Sequence, residues 1–256
     1  MQQSNRATDQ RLITVVIPTV DRPKLLARAL ASALAQENVS LEVLVVDDGH
    51  GAGLEAADRS GLRHVRGISS NRQGQVPARR IGVREAKGEL IAFLDDDDWW
   101  AEPDHLQRLL AVMPQQPALS YASGSIVVED DEMRAIEEMP FQSHATADTL
   151  EKDNTLIVSG LLFDRRLIAM HGEFDVTFPY YWDWDWYLRL ARADVPLIAS
   201  SGSAVRISAR YGSVSSEANI AARRADLDRL QAKHGLAPIP LRNHESIARD
   251  RQSGAA

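Results

Sequence analysis

The chain has no cysteine among its 256 residues. Disulfides and thiolate chemistry are thereby excluded, and nothing ties the fold to an oxidising compartment. It also lacks any apolar run approaching the roughly 20 residues that a membrane-spanning helix needs. Met1 to Gln10 is polar and offers no hydrophobic stretch of the kind a signal sequence requires. A cytoplasmic protein without a transmembrane segment is the expectation. Basic charge is in short supply: 29 Lys and Arg face 36 Asp and Glu, a net charge of -7, which argues against a nucleic-acid binder. Histidines are scattered; His64, His105, His144, His171 and His234 show no metal-ligand spacing and read as surface or packing residues. Internal repeats and long low-complexity segments are absent.

What is present is an ordinary globular balance, 44% hydrophobic and 25% charged. A chain of this length buries about three quarters of the surface its unfolded form exposes, enough for a sizeable core. The first half alternates strand-like and helix-like patterns. Ile13 to Ile17 is a β-rich run closed by Pro18. Lys24 to Gln36 places Leu25, Leu26, Ala29, Leu30, Ala33 and Leu34 on one helical face, with Pro23 suited to its first turn. Leu41 to Val46, Arg63 to Ile68 and Leu90 to Leu94 read as strands, and Ala78 to Lys87 as a helix stopped by Gly88. Continuous apolar strands separated by helices predict an α/β fold with a mostly parallel central sheet flanked by helices. Such sheets hold ligands beyond the carboxyl ends of their strands.

The second half is less regular. Glu102 to Met113 reads as helical, Leu119 to Val128 as one long strand or two broken ones, and Leu156 to Phe163 as a strand. Glu129 to Thr149, acidic and polar, is expected to be a surface excursion. Trp184 to Ala193 and Glu217 to His234 read as helices, with a short strand at Ala204 to Ile207. The segment from Pro238 onward, rich in charged and small residues, is expected to be poorly ordered.

Two clusters carry chemistry. Asp95-Asp96-Asp97-Asp98 directly follows the apolar run Leu90 to Leu94 and precedes Trp99-Trp100. Four adjacent carboxylates repel one another, and when partly buried some retain protons. A hard divalent cation removes that conflict, since magnesium and manganese take oxygen ligands and commonly share one or two carboxylates with substrate phosphates. An isolated acidic run is usually a solvated turn; the flanking apolar strand and tryptophans favour a site here. The second cluster, Trp182-Asp183-Trp184-Asp185-Trp186, holds three of the five tryptophans. Carboxylates among aromatic rings lose water, which raises their pKa and suits a general base. The plainer reading is a helix start capped by Asp183, with Trp186 and Leu190 packed on the core. Asp183 and Asp185 lie two apart and on a helix face different directions, so only one is expected to reach a reacting centre.

Val16-Ile17-Pro18-Thr19, Val45-Val46-Asp47-Asp48-Gly49, Asn71-Arg72-Gln73-Gly74, Ala78-Arg79-Arg80-Ile81-Gly82, Phe93-Leu94-Asp95-Asp96-Asp97-Asp98, Gly172-Glu173-Phe174-Asp175 and Asp183-Trp184-Asp185 occur in this order. Together they resemble the inverting family-two glycosyltransferases with the GT-A fold, over roughly residues 12 to 216. The resemblance implies an α/β GT-A domain at 12–237 between an N-terminal tail (1–11) and a C-terminal tail (238–256). Within it, 12–100 would bind a nucleotide sugar, 101–216 the acceptor, and 217–237 would form a closing helix. It further implies that Thr19 and Asp48 touch the donor's base and ribose, with Asp47 supporting the loop, and that Asp96 lies near the ribose. Pro18, Asp21, Arg22, Asn71, Gly74 and Arg79 join the donor side. Asp97, helped by Asp95, would bind manganese or magnesium.

Arg206 and Arg210, with Ser213 and Ser215 beyond, resemble a segment that closes over the donor. Asp183 would be the general base, with Trp182, Trp184 and Asp185 at the acceptor. The family often has Glu where this chain has Trp182, and Asn where it has Arg80. The implied reaction is metal-dependent transfer from a nucleotide sugar, a UDP-sugar first, to a glycan, lipid-linked or small-molecule acceptor. Peripheral membrane contact stays open with a lipid acceptor. Two rivals remain, a catalytically silent sugar-nucleotide binding module and a sugar nucleotidyltransferase. The second would want a glycine-rich phosphate loop after the first strand, where Pro18 to Pro23 has no glycine.

Overall fold

A computed structural model describes residues 11–202, 204–209 and 219–253. The amino-terminal region alternates β1 (Leu12–Thr19), α1 (Pro23–Leu34), β2 (Ser40–Asp47), α2 (Ala52–Ser60), β3 (Val65–Ser69), α3 (Gln75–Glu85) and β4 (Leu90–Phe93). Then follow β5 (Trp99–Trp100), α4 (His105–Ala111), β6 (Leu119–Tyr121), β7 (Gly124–Glu129), β8 (Ala135–Phe141) and α5 (Ala147–Leu150). A 3-10 turn at Val158–Gly160 leads into β9 (Leu161–Asp164) and α6 (Arg166–His171). α7 (Trp182–Arg192), β10 (Leu197–Ala199), β11 (Val205–Ala209), α8 (Ile220–His234) and α9 (His244–Gln252) complete the described elements.

Seven strands form the central sheet in the order β10-β6-β9-β4-β1-β2-β3. β1 pairs in parallel with β2 and β4, β2 with β3, and β6 with β10. β9 runs against both of its neighbours, β4 and β6. Every residue of β1 from Ile13 to Thr19 is buried, as expected of a strand covered on both faces. The alternation of side chains along it divides the core. Val16 points with Leu44, Val46, Ile91 and Phe93 into a cluster containing the α7 aromatics. Val15 and Ile17 point with Val43, Val45, Ala92 and Leu94 into the cluster covered by the Leu26–Ala29–Leu30–Ala33 stripe of α1. α3 can approach the sheet closely because residue 82 is glycine; a Cβ there would lie 2.3 Å from Val16 Cγ1. A second, four-stranded sheet, β5-β11-β7-β8, sits beside the carboxyl ends of the main one.

Several expectations change. For the run 119–128 the broken alternative holds: it is two strands in two different sheets, parted at Ala122–Ser123. Segment 129–149 is not a surface excursion: β8 pairs with β7 and turns Met139 and Phe141 into the core, with Glu137 on the same face meeting Arg249 and Glu138 on the opposite face. The short helix α2, which composition did not reveal, exists because the β2 end supplies its N-terminal contacts. The segment from 238 is no loose tail. α9 begins with a capping box between Asn243 and Ser246, buries Ile247 and Ala248, and pairs Arg249 with Glu137 at 2.9 Å. Asp183 does not cap α7; the N-cap is Tyr181, and Asp183 lies in the first turn.

Candidate active site

The carboxyl ends of β1, β2 and β4 meet at one edge. Thr19 closes β1 and donates its hydroxyl to Asp96 Oδ2 at 2.6 Å, and the Asp48 amide bonds the Thr19 carbonyl at 2.8 Å. Pro18 is buried beside it. Asp47 is the keystone of the loop into α2. Its carboxylate accepts from the backbone N–H groups of Gly49 at 2.9 Å, Gly51 at 3.2 Å and Gly53 at 2.5 Å. A Cβ at position 53 would fall 2.8 Å from Asp47 Oδ2, so glycine is needed for the amides to close on the carboxylate. Asp48 reaches the next loop, accepting from the Ser70 hydroxyl and from Gly74 N at 3.0 Å. That loop turns through Asn71 and Arg72, both left-handed with φ of 57° and 59°. Asp21, with φ of 48°, accepts from His50 N at 2.8 Å and faces His50 Nδ1 at 2.5 Å.

The four aspartates after β4 have four different surroundings. Asp95 pairs with Arg79. Asp96 is fully buried and bound by Thr19 and Arg22; burial pushes its carboxyl up to about 6, with Arg22 opposing. Asp97 lies 2.9 Å from Arg22 Nη1, and burial raises its carboxyl, Arg22 opposing and Asp95 reinforcing. Asp98 accepts from Ser159 Oγ at 2.6 Å and from the Ser208 amide at 3.1 Å; burial, then Asp97 and Asp95, lift it well above the carboxylate range. One oxygen from each of Asp95, Asp97 and Asp98 lies within 4.8 Å of the others. Three carboxylates gathered this closely form a hard, oxygen-only donor set that fits a magnesium- or manganese-like ion. Sequence reasoning gave Asp97 and Asp95 to this set and missed Asp98.

Arg79 joins this edge to the Trp-Asp cluster. Its guanidinium is almost fully buried, binds Asp95, and stacks 4.9 Å from the Trp182 ring and 6.0 Å from the Phe93 ring. Asp183, on the first turn of α7, accepts from Asn154 Nδ2 at 2.9 Å. Burial raises its carboxyl to about 6, while Asn154 and the positive charge of Arg79 pull it down. Asp183 is 7% exposed. The other three residues of this cluster are interior. Trp182 packs edge-on against Phe93 and Phe174. Trp184 donates its indole N–H to the Leu150 carbonyl at 2.6 Å. Asp185 is fully buried on the far side of the helix turn, bound by Arg189 at 3.0 Å, Lys233 at 2.7 Å and His234 at 2.8 Å. The sequence places Trp182, Trp184 and Asp185 at the acceptor; here the two rings pack in the core and Asp185 anchors α8 to α7.

Arg206 on β11 pairs with Glu138 at 2.7 Å. Arg210, Ser213 and Ser215 lie outside the described residues. Arg80 pairs with Glu173, which also holds Arg84. A hollow of about 510 Å³ opens beside Gly74, between Gln75, Arg80 and Arg84 of α3 and the Val176–Pro179 loop. A smaller one of about 360 Å³ adjoins it at Glu173 and Lys233, and neither is lined by the four aspartates. His105 is a packing residue, ring-stacked on Trp100 at 4.9 Å. Besides Asp98, the sequence reading missed His50, Asn154, Ser159 and Arg28. Arg28 donates to the Asp97 carbonyl at 2.7 Å and stacks 3.7 Å over Trp99. Nothing in local pattern marks these residues, since each meets its partner across a long stretch of chain.

The sequence model described as glycosyl transferase family 2 matches residues 14–169. An uncharacterized glycosyltransferase, YwdF of Bacillus subtilis, is 29% identical over 245 residues, covering 90% of this chain and 87% of that protein. The succinoglycan biosynthesis protein ExoO of Rhizobium meliloti is 38% identical over 101 residues, but these are 38% of this chain and 28% of ExoO. Among solved structures, the mannosyltransferase PcManGT of Pyrobaculum calidifontis, in complex with GDP-Man and Mn2+, superposes with a TM-score of 0.64 at 17% identity, over 97% of this chain and 70% of that one. TarS 1-349 of S. aureus, in complex with UDP-GlcNAc, gives 0.61 at 17% identity, and the match spans 78% of this chain and 59% of TarS 1-349. The α/β architecture is therefore the GT-A fold, and the chain belongs to glycosyl transferase family 2.

Proposed function

We propose that this glycosyltransferase is an inverting, metal-dependent enzyme that uses Asp183 to take the proton from an acceptor hydroxyl. The observation that carries the reading is the Arg79 bridge. One buried guanidinium binds Asp95 of the acidic edge, and its charge acts on the carboxyl of Asp183. A leaving-group site and a base are thus joined through one side chain. Residues 12–100 serve the donor and 101–216 the acceptor. Thr19, Asp48, Pro18, Asp21, Asn71 and Gly74 shape the nucleoside end, with Asp47 locking the loop and Asp96 near the ribose. Arg22, Arg79, Arg206 and Arg210 balance the diphosphate.

A divalent cation, manganese or magnesium, held by Asp97 with Asp95 would draw off the charge that grows on the departing diphosphate. Asp183, ionised, accepts the hydroxyl proton as the acceptor oxygen attacks the anomeric carbon from the face opposite the diphosphate, and one such displacement inverts that carbon. Relatives whose structures carry UDP-GlcNAc or GDP-Man support a nucleotide-sugar donor, and UDP-sugars are the first to test. No helix among the described residues is long and apolar enough to cross a membrane. This supports a cytoplasmic enzyme reaching a glycan, small-molecule or lipid-linked acceptor, the last by peripheral contact.

The test measures nucleoside diphosphate released from a panel of donors, with manganese and with chelator. Asp183→Asn is expected to abolish transfer while donor affinity stays within about twofold; normal transfer by that variant would place the base elsewhere. Pyrophosphate release instead would identify a nucleotidyltransferase, and donor binding without any release a silent module.

A further inference from the structure

Three guanidiniums surround the acidic loop, and they are held very differently. Arg79 is 4% exposed and clamped by Asp95, the Gln75 carbonyl and two aromatic rings. Arg28 is clamped by Glu129, the Trp99 ring and the Asp97 carbonyl. Arg22 is 41% exposed and spans the two middle aspartates, with Nη2 2.5 Å from Asp96 Oδ1, Nε 3.2 Å from Asp96 Oδ2 and Nη1 2.9 Å from Asp97 Oδ2. Its backbone is fixed as the N-cap of α1 ahead of Pro23. The side chain is long and half in solvent, so it can move while the backbone does not.

We propose that Arg22 is a resident counter-cation. It neutralises Asp97 while no divalent ion is bound, yields that carboxylate when the ion enters, and turns its planar fork to the diphosphate oxygens that arrive with it. The inference rests on the reading of Asp97 as a metal ligand. Its logic is electrostatic. Two cations within bonding reach of one half-buried carboxylate repel strongly, because the surroundings screen poorly. Without nucleotide, Arg22 therefore weakens metal binding. With nucleotide present, new anionic oxygens receive the guanidinium bidentately, and the repulsion becomes an attraction. Metal and nucleotide then strengthen each other's binding by one common factor. Arg22 supplies that coupling, and it also keeps the loop from being an open acidic trap for stray cations.

Calorimetric titration of the full chain tests this with Mn2+ alone, UDP alone, and Mn2+ in the presence of UDP. Arg22→Met is expected to bind Mn2+ alone about fivefold or more tightly than the parent, and to lose most of the mutual enhancement between Mn2+ and UDP. Arg22→Lys, which keeps the charge without the fork, is expected to leave the weak binding of Mn2+ alone in place and to lose part of the enhancement. It also stands in if the methionine variant fails to fold. Mn2+ binding lost in Asp97→Ala but unmoved or weakened in Arg22→Met overturns the proposal alone. Mn2+ binding retained in Asp97→Ala overturns the metal reading and this proposal together.

Discussion

Asp183 is a carboxyl kept near neutrality's acid side by its own burial, and its pH behaviour follows with opposite signs for rate and for stability. Below about 6 it carries a proton; above, it is ionised, as the base of the proposed reaction must be. Acceptor turnover, measured as kcat/KM, is expected to rise with pH through about 6, and Asp183→Asn to remove that limb along with about 10²–10⁴ of the rate. For folding, the raised pKa means the folded protein holds this proton more tightly than the unfolded chain, whose value is near 3.8. Stability from this site therefore falls as pH climbs from about 4 to about 6. Asp183→Asn is accordingly expected to unfold at a higher urea midpoint than the parent at pH 7, a gain bought by inactivity. At this scale the sequence showed the carboxylates well. A run of four aspartates at a strand end and two among tryptophans announce themselves. Their partners did not: Asn154 meets Asp183 across 29 positions and Ser159 meets Asp98 across 61.

Among the elements, those with a strong period were legible and those made by tertiary contact were not. β1, α1, β2 and β4 carry apolar patterns that specify them alone. α2 depends on Asp47 gathering the amides of a glycine-rich turn, a contact from outside the helix. β8 alternates, but it does so through glutamates that also read as solvent loop, and only pairing with β7 fixes its register. α9 is short and charged, and its two buried residues have meaning only against β7 and β8. The fit of α3 on β1 can be tested directly. Gly82→Ala puts a methyl within the radius of Val16 Cγ1. Crowding of this kind costs about 1–3 kcal/mol, expected as a lower urea midpoint with unchanged slope. Equal stability would show that α3 can lift off the sheet.

Among the described residues, buried His105 and half-buried His244 are histidines that the fold keeps neutral. Burial holds His105 at about 3 and His244 at about 4, against 6.5 when unfolded. The unfolded chain takes up these protons first, so the stability they represent is complete above 6.5 and drains as pH falls through about 4 and then about 3. They oppose in sign Asp183 and the raised carboxyls of Asp96, Asp97 and Asp98. His105→Phe, which keeps the ring against Trp100, is expected to gain melting temperature relative to the parent as pH falls from 6.5 to 4. A parallel pH dependence in parent and variant would remove His105 from the account.

The reversed strand β9 has a consequence for how such a catalyst diversifies. Parallel strands deliver to the rim the loops that leave them; an opposed strand delivers the loop that enters it. Asn154 and Ser159 arrive by that second route, and everything contributed by β1, β2 and β4 arrives by the first. Under the proposed assignment of base and donor side, the stretch ahead of β9 can therefore change, and the surroundings of Asp183 with it, without disturbing the loops that leave β1, β2 and β4.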